Sequence, residues 1–190
     1  MLFFLSIRRS PFNIYVLRND SILFSGEALQ TLCRTLCGKT QYKKTSVEEA
    51  PQKADCLTSI FYIFKTYLLD QFRLLSESEF LLFFRAYYIG DMPKMLVKVH
   101  TWQILKIETK NLKAGDLLFV SGSKPGITHV GLALSTHQIF HCSKGRGATI
   151  CPLNDFLAIY KQSIPIEEAL HHKDPRRDKI TRKICRSRSL

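Results

Sequence analysis

The chain has no run of about twenty apolar residues, the length a membrane-spanning helix needs. It also lacks the charge-first, apolar-later opening of a secretory leader, because Met1-Leu2-Phe3-Phe4-Leu5-Ser6-Ile7-Arg8-Arg9 is apolar before it is basic. Acid is scarce: 16 Asp and Glu stand against 28 Lys and Arg, a formal charge of +12. Half of that excess lies in the tail at 171–190, which does not read as a nucleic-acid surface, since no aromatic residues interleave with its basic ones and no recognised binding module is present. Cysteines number six, yet none sits among further ligands at the close spacing a zinc site wants. No repeat or low-complexity segment interrupts the body, and 190 residues are enough for one domain with a proper core.

What is present centres on Asp55-Cys56, at the entrance to an apolar helical run of Leu57, Ile60, Phe61 and Phe64, with Tyr67 at its end. Asp55 can cap that helix, which puts Cys56 in the first turn, where free N–H groups and the helix dipole favour an anion. A thiol so placed is expected to have a lowered pKa and to act as a nucleophile. The competing role for any such cysteine is core packing, and the rest of the pattern decides against it here. Cys33, on a helix expected over Gly26 to Cys37 between a Ser25 cap and Gly38, does read as core, with Leu29, Leu32 and Leu36. Without a leader, the cysteines are expected as free thiols.

Downstream, Leu112-Lys113-Ala114-Gly115 leads into an apolar strand from Asp116 to Val120. Thr128 to Leu134 is a second strand and Gln138 to Cys142 a third, and Ser135-Thr136-His137 is short enough to join them as a hairpin. His129 and His141 can then meet across neighbouring antiparallel strands. Cys142, one residue on, faces the other way and is a poor rival for the nucleophile. A cysteine and a histidine, with a second polar group to orient the imidazole, are what thiol-dependent acyl transfer requires.

These blocks resemble the NlpC/P60 cysteine peptidases, whose usual signature runs Asp-Cys-Ser-Gly, Gly-Asp-Leu-x-Phe, His-Val-Gly and a last His. Here the order is Ala54-Asp55-Cys56, then Gly115-Asp116-Leu117-Leu118-Phe119, His129-Val130-Gly131 and His141, with Gly38 and Tyr42 ahead of the nucleophile. The resemblance spans roughly Ser25 to Tyr160. It implies an α+β, papain-like fold with the nucleophile on a helix packed against an antiparallel sheet. It implies hydrolysis of stem-peptide bonds of bacterial peptidoglycan, typically between D-glutamate and a diamino acid such as meso-diaminopimelate, without metal or organic cofactor. Carried over, Cys56 is the nucleophile, His129 the base and acid, and His141 the group that orients His129. Tyr42 lies beside the nucleophile, Asp55 meets the substrate's free amino end, and the Cys56 N–H serves the oxyanion. Two other readings keep the fold: a thiol enzyme acting on another substrate (a deamidase or acyltransferase, as an effector uses), and a binding module without turnover.

Three departures from the family pattern bear on this chain. Leu57-Thr58 replaces Ser-Gly after the nucleophile, and Lys43-Lys44-Thr45-Ser46 replaces a tryptophan and paired glycines, which predicts a more basic substrate rim. The stretch from Cys56 to His129 is also longer than usual, with the surplus at about 72–107, where Glu79 to Tyr88 has an apolar helical pattern. The expected organisation is an N-terminal extension (1–24), a catalytic domain (25–170) carrying that insertion, and a basic tail (171–190). The tail holds eight Lys or Arg against two Asp and is expected to be disordered, with an anionic envelope polymer as its candidate partner. Without a leader, synthesis as a cytoplasmic protein is expected. Action would then be at the envelope or periplasm by unconventional export, or in the cytoplasm on recycled wall fragments.

Overall fold

The structure is a computed structural model that describes residues 13–20, 22–44, 49–68, 102–121, 127–160 and 162–163. The helical pattern at 79–88, most of the 72–107 insertion and the basic tail lie outside these residues. In chain order the elements are β1 (Asn13–Arg18), α1 (Gly26–Leu36), β2 (Gln41–Tyr42), β3 (Lys53–Ala54), α2 (Cys56–Leu68) and β4 (Gln103–Glu108). They continue with β5 (Leu117–Ser121), β6 (His129–Ala133), β7 (Gln138–Ser143), β8 (Gly147–Pro152), α3 (Leu153–Ile159) and β9 (Gln162–Ser163).

Seven strands form one antiparallel sheet in the order β4-β1-β5-β6-β7-β8, with β9 on β5, while β2 and β3 pair in parallel beside it. This is the expected α+β class. The sheet extends past the matched sequence blocks: β1, from the N-terminal extension, pairs with β5 on one side and β4, from the end of the insertion, on the other. α1 starts where Ser25 Oγ accepts the Ala28 N–H at 3.2 Å, and buries Leu29, Cys33 and Leu36. Alternation along the strands gives the sheet two apolar faces. Phe119, Val130, Leu132, Phe140 and Cys142 pack with α1 and α2, through Leu29, Ile60, Phe61 and Phe64. Val16, Leu118, Val120, Ala133 and Ile139 pack on the other face with Leu153 and Phe156 of α3.

The Gly115-Asp116 block has a structural task. Arg18 on β1 donates from Nε to Asp116 Oδ1 and from Nη2 to Oδ2, both at 2.7 Å, and Nη2 also reaches the Asn111 carbonyl at 2.9 Å. The Lys113 N–H donates to Asp116 Oδ2 at 2.8 Å, so the carboxylate, 1% exposed, clasps its own loop to β1. Gly115 adopts φ +91° with the Phe24 ring packed on its Cα, leaving neither backbone freedom nor space for a side chain.

Candidate active site

Cys56 opens α2, as its sequence context predicts. Asp55 Oδ1 accepts the N–H of Leu57 and of Thr58, each at 2.9 Å, so two otherwise unpaired donors of the first turn are satisfied. Thr58, standing where the family usually has glycine, completes a reciprocal box. Its Oγ1 accepts the Asp55 N–H at 2.8 Å and donates to Asp55 Oδ1 at 3.1 Å. The loss of the glycine thus brings a side chain that fastens the helix start. The cap leaves out the Cys56 N–H, which faces its own sulfur.

The sulfur also meets the N–H of Val130. That donor is available because of how β6 is paired. The Ala133 N–H goes to the Asp116 carbonyl at 2.8 Å, so alternation turns the Val130 N–H away from β5 and towards β7. The β6–β7 pairing, however, covers only Leu132↔Phe140 and Ala133↔Ile139. The strands part before Val130, and the sulfur occupies the gap. Cys142 borders it from β7, its Sγ 3.3 Å from the Ala54 carbonyl and on the opposite face from His141, as alternation requires. Tyr42, paired with Ala54 across β2–β3, also lies close enough for its hydroxyl to feel Cys56 and Asp55.

The two histidines meet as predicted: His129 Nε2 and His141 Nδ1 are 2.9 Å apart, with the rings at 89°. The register of β6 on β7 sets His141 beside Gly131 and diagonal to His129. Gly131 is needed there, since a Cβ would stand 2.6 Å from Ile139 Cγ2 and 2.8 Å from Phe156 Cζ. Phe156 lies under both imidazoles, with ring centroids 5.9 Å from His129 and 5.2 Å from His141. His141 Nε2 is buried and has no partner among the described residues.

Burial governs the electrostatics. Cys56 is 8% exposed and His129 6%. Burial, with the Asp55 charge second, pushes the Cys56 thiol up to about 12, while the N–H groups of Val130 and Cys56 pull the other way. The lowered thiol pKa expected from the helix start is therefore not found: desolvation of the thiolate outweighs the helix end. Burial, then the neighbouring His141, pushes His129 down to about 3. His141 falls to about 4, through burial and the Arg146 charge. The site at rest holds a neutral thiol and two neutral imidazoles. With Nε2 committed to His141, His129 has Nδ1 left to exchange a proton. Five cysteines, Cys33, Cys37, Cys56, Cys142 and Cys151, are free thiols, and no group of three or more metal-ligating side chains occurs among the described residues.

Sequence reasoning missed Tyr160, which stacks on the His129 ring at a centroid distance of 4.4 Å and an interplanar angle of 12°. Its signal was faint: an aromatic four residues after Phe156, at the end of the last helix.

Comparison with known proteins agrees with the sequence blocks. None of the curated proteins matches the chain. Among solved structures, the NlpC/p60 domain of the peptidoglycan hydrolase SagA is similar at 21% identity, over 70% of this chain and 93% of that one, with a TM-score of 0.46. The model of the NlpC/P60 family matches residues 40–163, well over half of the sequence, from just before Tyr42 to the end of β9. The chain belongs to the NlpC/P60 family of cell-wall peptidases.

Proposed function

We propose that the protein is a cysteine peptidase that hydrolyses stem-peptide bonds of bacterial peptidoglycan, between D-glutamate and a diamino acid such as meso-diaminopimelate. One observation carries this reading: the Cys56 sulfur sits in the β6–β7 gap against the Val130 N–H, next in the chain to a His129 held by His141 at 2.9 Å. Family membership supports the substrate class. Because thiol and imidazole are both neutral at rest, the Cys56 proton passes to His129 as the sulfur attacks the scissile carbonyl. The Cys56 N–H, which Asp55 leaves uncapped, donates to the oxyanion. His129 returns the proton to the leaving amine, leaving a thioester on Cys56. Water, deprotonated by His129, then attacks the thioester, and the thiol is regenerated. Tyr42 borders the sulfur and serves the substrate, and Asp55 has Oδ2 left for the substrate's amino end beside its cap through Oδ1. The place of action follows the substrate: the envelope, or the cytoplasm where wall fragments are recycled.

Purified protein and a Cys56→Ala variant are incubated with defined muropeptides, and the products are read by mass spectrometry. Cleavage by the wild type alone at the D-glutamyl bond is the expected result. Cleavage at another stem-peptide bond overturns the bond assignment. No cleavage, with Cys56 still selectively labelled by a thiol probe, transfers the mechanism to another substrate. No labelling at all leaves a binding module.

A further inference from the structure

A buried histidine that must accept a proton needs something to stabilise the resulting cation. Thiol peptidase chemistry places a positive charge on His129 in the first step, and no carboxylate among the described residues pairs with it. His141 is neutral. Asp55, the nearest acid to the sulfur, holds the α2 cap. What does lie against the imidazole is an aromatic face. Tyr160 covers His129 almost in parallel, whereas Phe156 approaches it at 5.9 Å and 37°.

We propose that Tyr160 is a positioning residue of the Cys56–His129 pair: its ring fixes the plane of the His129 imidazole and its π face stabilises the imidazolium formed when Cys56 gives up its proton. The inference rests on the peptidase reading of that pair. The stack meets the geometric demand of a cation–π contact, which needs the charge within about 6 Å of the ring centroid. Tyr160 is itself firmly placed. Its N–H closes α3 on the Phe156 carbonyl at 3.1 Å, and its ring packs on Phe156 at 5.1 Å and edge-on to His141 at 6.2 Å. A ring held on one imidazole face resists rotation about χ2 of His129, and that rotation would break the bond to His141. Burial and the neighbouring Cys56 push the Tyr160 phenol up to about 12, so the ring facing the cation stays an un-ionised phenol.

Alkylation of Cys56 by iodoacetamide at pH 7, followed by peptide mass spectrometry, tests this without any peptide substrate. The first comparison is wild type with His129→Ala. Equal rates there overturn the pair itself, and with it the peptidase reading. Given a slower His129→Ala, Tyr160→Leu, which keeps an apolar cover but removes the π face, is expected to react about two- to thirty-fold more slowly than wild type. Tyr160→Phe keeps the ring and is expected to restore the rate to within about twofold. On muropeptides, kcat falls with the alkylation rate while KM holds. An unchanged or faster reaction of Tyr160→Leu overturns the proposal, since a ring that merely covers the site would, once removed, admit reagent more easily. If thermal melting shows that Tyr160→Leu does not fold, pentafluorophenylalanine at position 160 decides. It preserves the shape and reverses the ring quadrupole, so slowing supports the proposal and a wild-type rate overturns it.

Discussion

Lowering the pH from 6.5 to 4.5 should destabilise this protein through two side chains. Unfolded, each imidazole binds a proton as the pH falls through about 6.5. Folded, His141 resists protonation until about 4 and His129 until about 3, because both are buried. Between those values the unfolded state holds more protons, so stability falls with pH, and the loss levels off below the folded values. Each proton contributes about 1.4 kcal/mol per pH unit, so two histidines give roughly 2.7 kcal/mol per unit and about 5 kcal/mol over the window. That is a large share of the roughly 5–15 kcal/mol that holds a typical domain together. For a chain of this size it corresponds to a fall in Tm of roughly 10–20 °C. Thermal melts and urea titrations at half-unit steps measure it, with His141→Gln expected to halve the slope and the double variant with His129→Gln to flatten it. A Tm that moves by less than about 3 °C across the window, or a double variant that keeps the wild-type slope, refutes the reasoning.

Four further substitutions follow from the packing. Thr58→Ala removes half of the reciprocal cap on Asp55 and should cost about 1 kcal/mol in urea unfolding, while Asp55→Asn, which still presents an oxygen to Leu57 and Thr58, costs less. Arg18→Met strands the Asp116 carboxylate, buried beside Asn111 and Lys113, and should cost roughly 3–5 kcal/mol, read by the urea midpoint at constant m. Gly131→Ala forces Ile139 or Phe156 aside and should cost about 1–3 kcal/mol. Because Phe156 lies under both histidines, its turnover of muropeptides should fall by more than its stability explains, as seen at a temperature where it is fully folded.

Much of this site could be read from the sequence, and the reasons are local. The α2 cap follows from an Asp ahead of an apolar helical run, and the hairpin that joins His129 to His141 follows from a three-residue link between two short strands. Alternation then put Cys142 on the face away from His141. Less legible were features that depend on distant pairing. Val130 N–H reaches the sulfur only because β6 and β7 part after Leu132↔Phe140, and no sequence signal marks where a ladder ends. Arg18 became the partner of Asp116 through the β1–β5 pairing, across 98 residues of chain. Tyr160 caps the C-terminus of α3, and its ring direction depends on how α3 packs beneath the sheet.

The thiol shows most clearly why local rules stop short. A helix N-terminus offers a negative group about 0.3–1 kcal/mol, and up to about 2 in a buried setting. Raising the Cys56 thiol from 9.0 to about 12 corresponds to roughly 4 kcal/mol against the thiolate. Burial therefore wins over the dipole, even with two N–H groups facing the sulfur. The same burial works against a cation on His129, so a thiolate–imidazolium pair costs energy on both sides unless neighbours restore it. Both halves have such neighbours in the fold: the N–H groups of Val130 and Cys56 at the sulfur, and the Tyr160 face on the imidazole. Proton transfer is then best made together with attack on the carbonyl, where the negative charge passes from sulfur to an oxygen that the Cys56 N–H can hold. On the peptidase reading, a site arranged in this way rests with a neutral thiol and lowers the cost of moving its proton at both the sulfur and the imidazole.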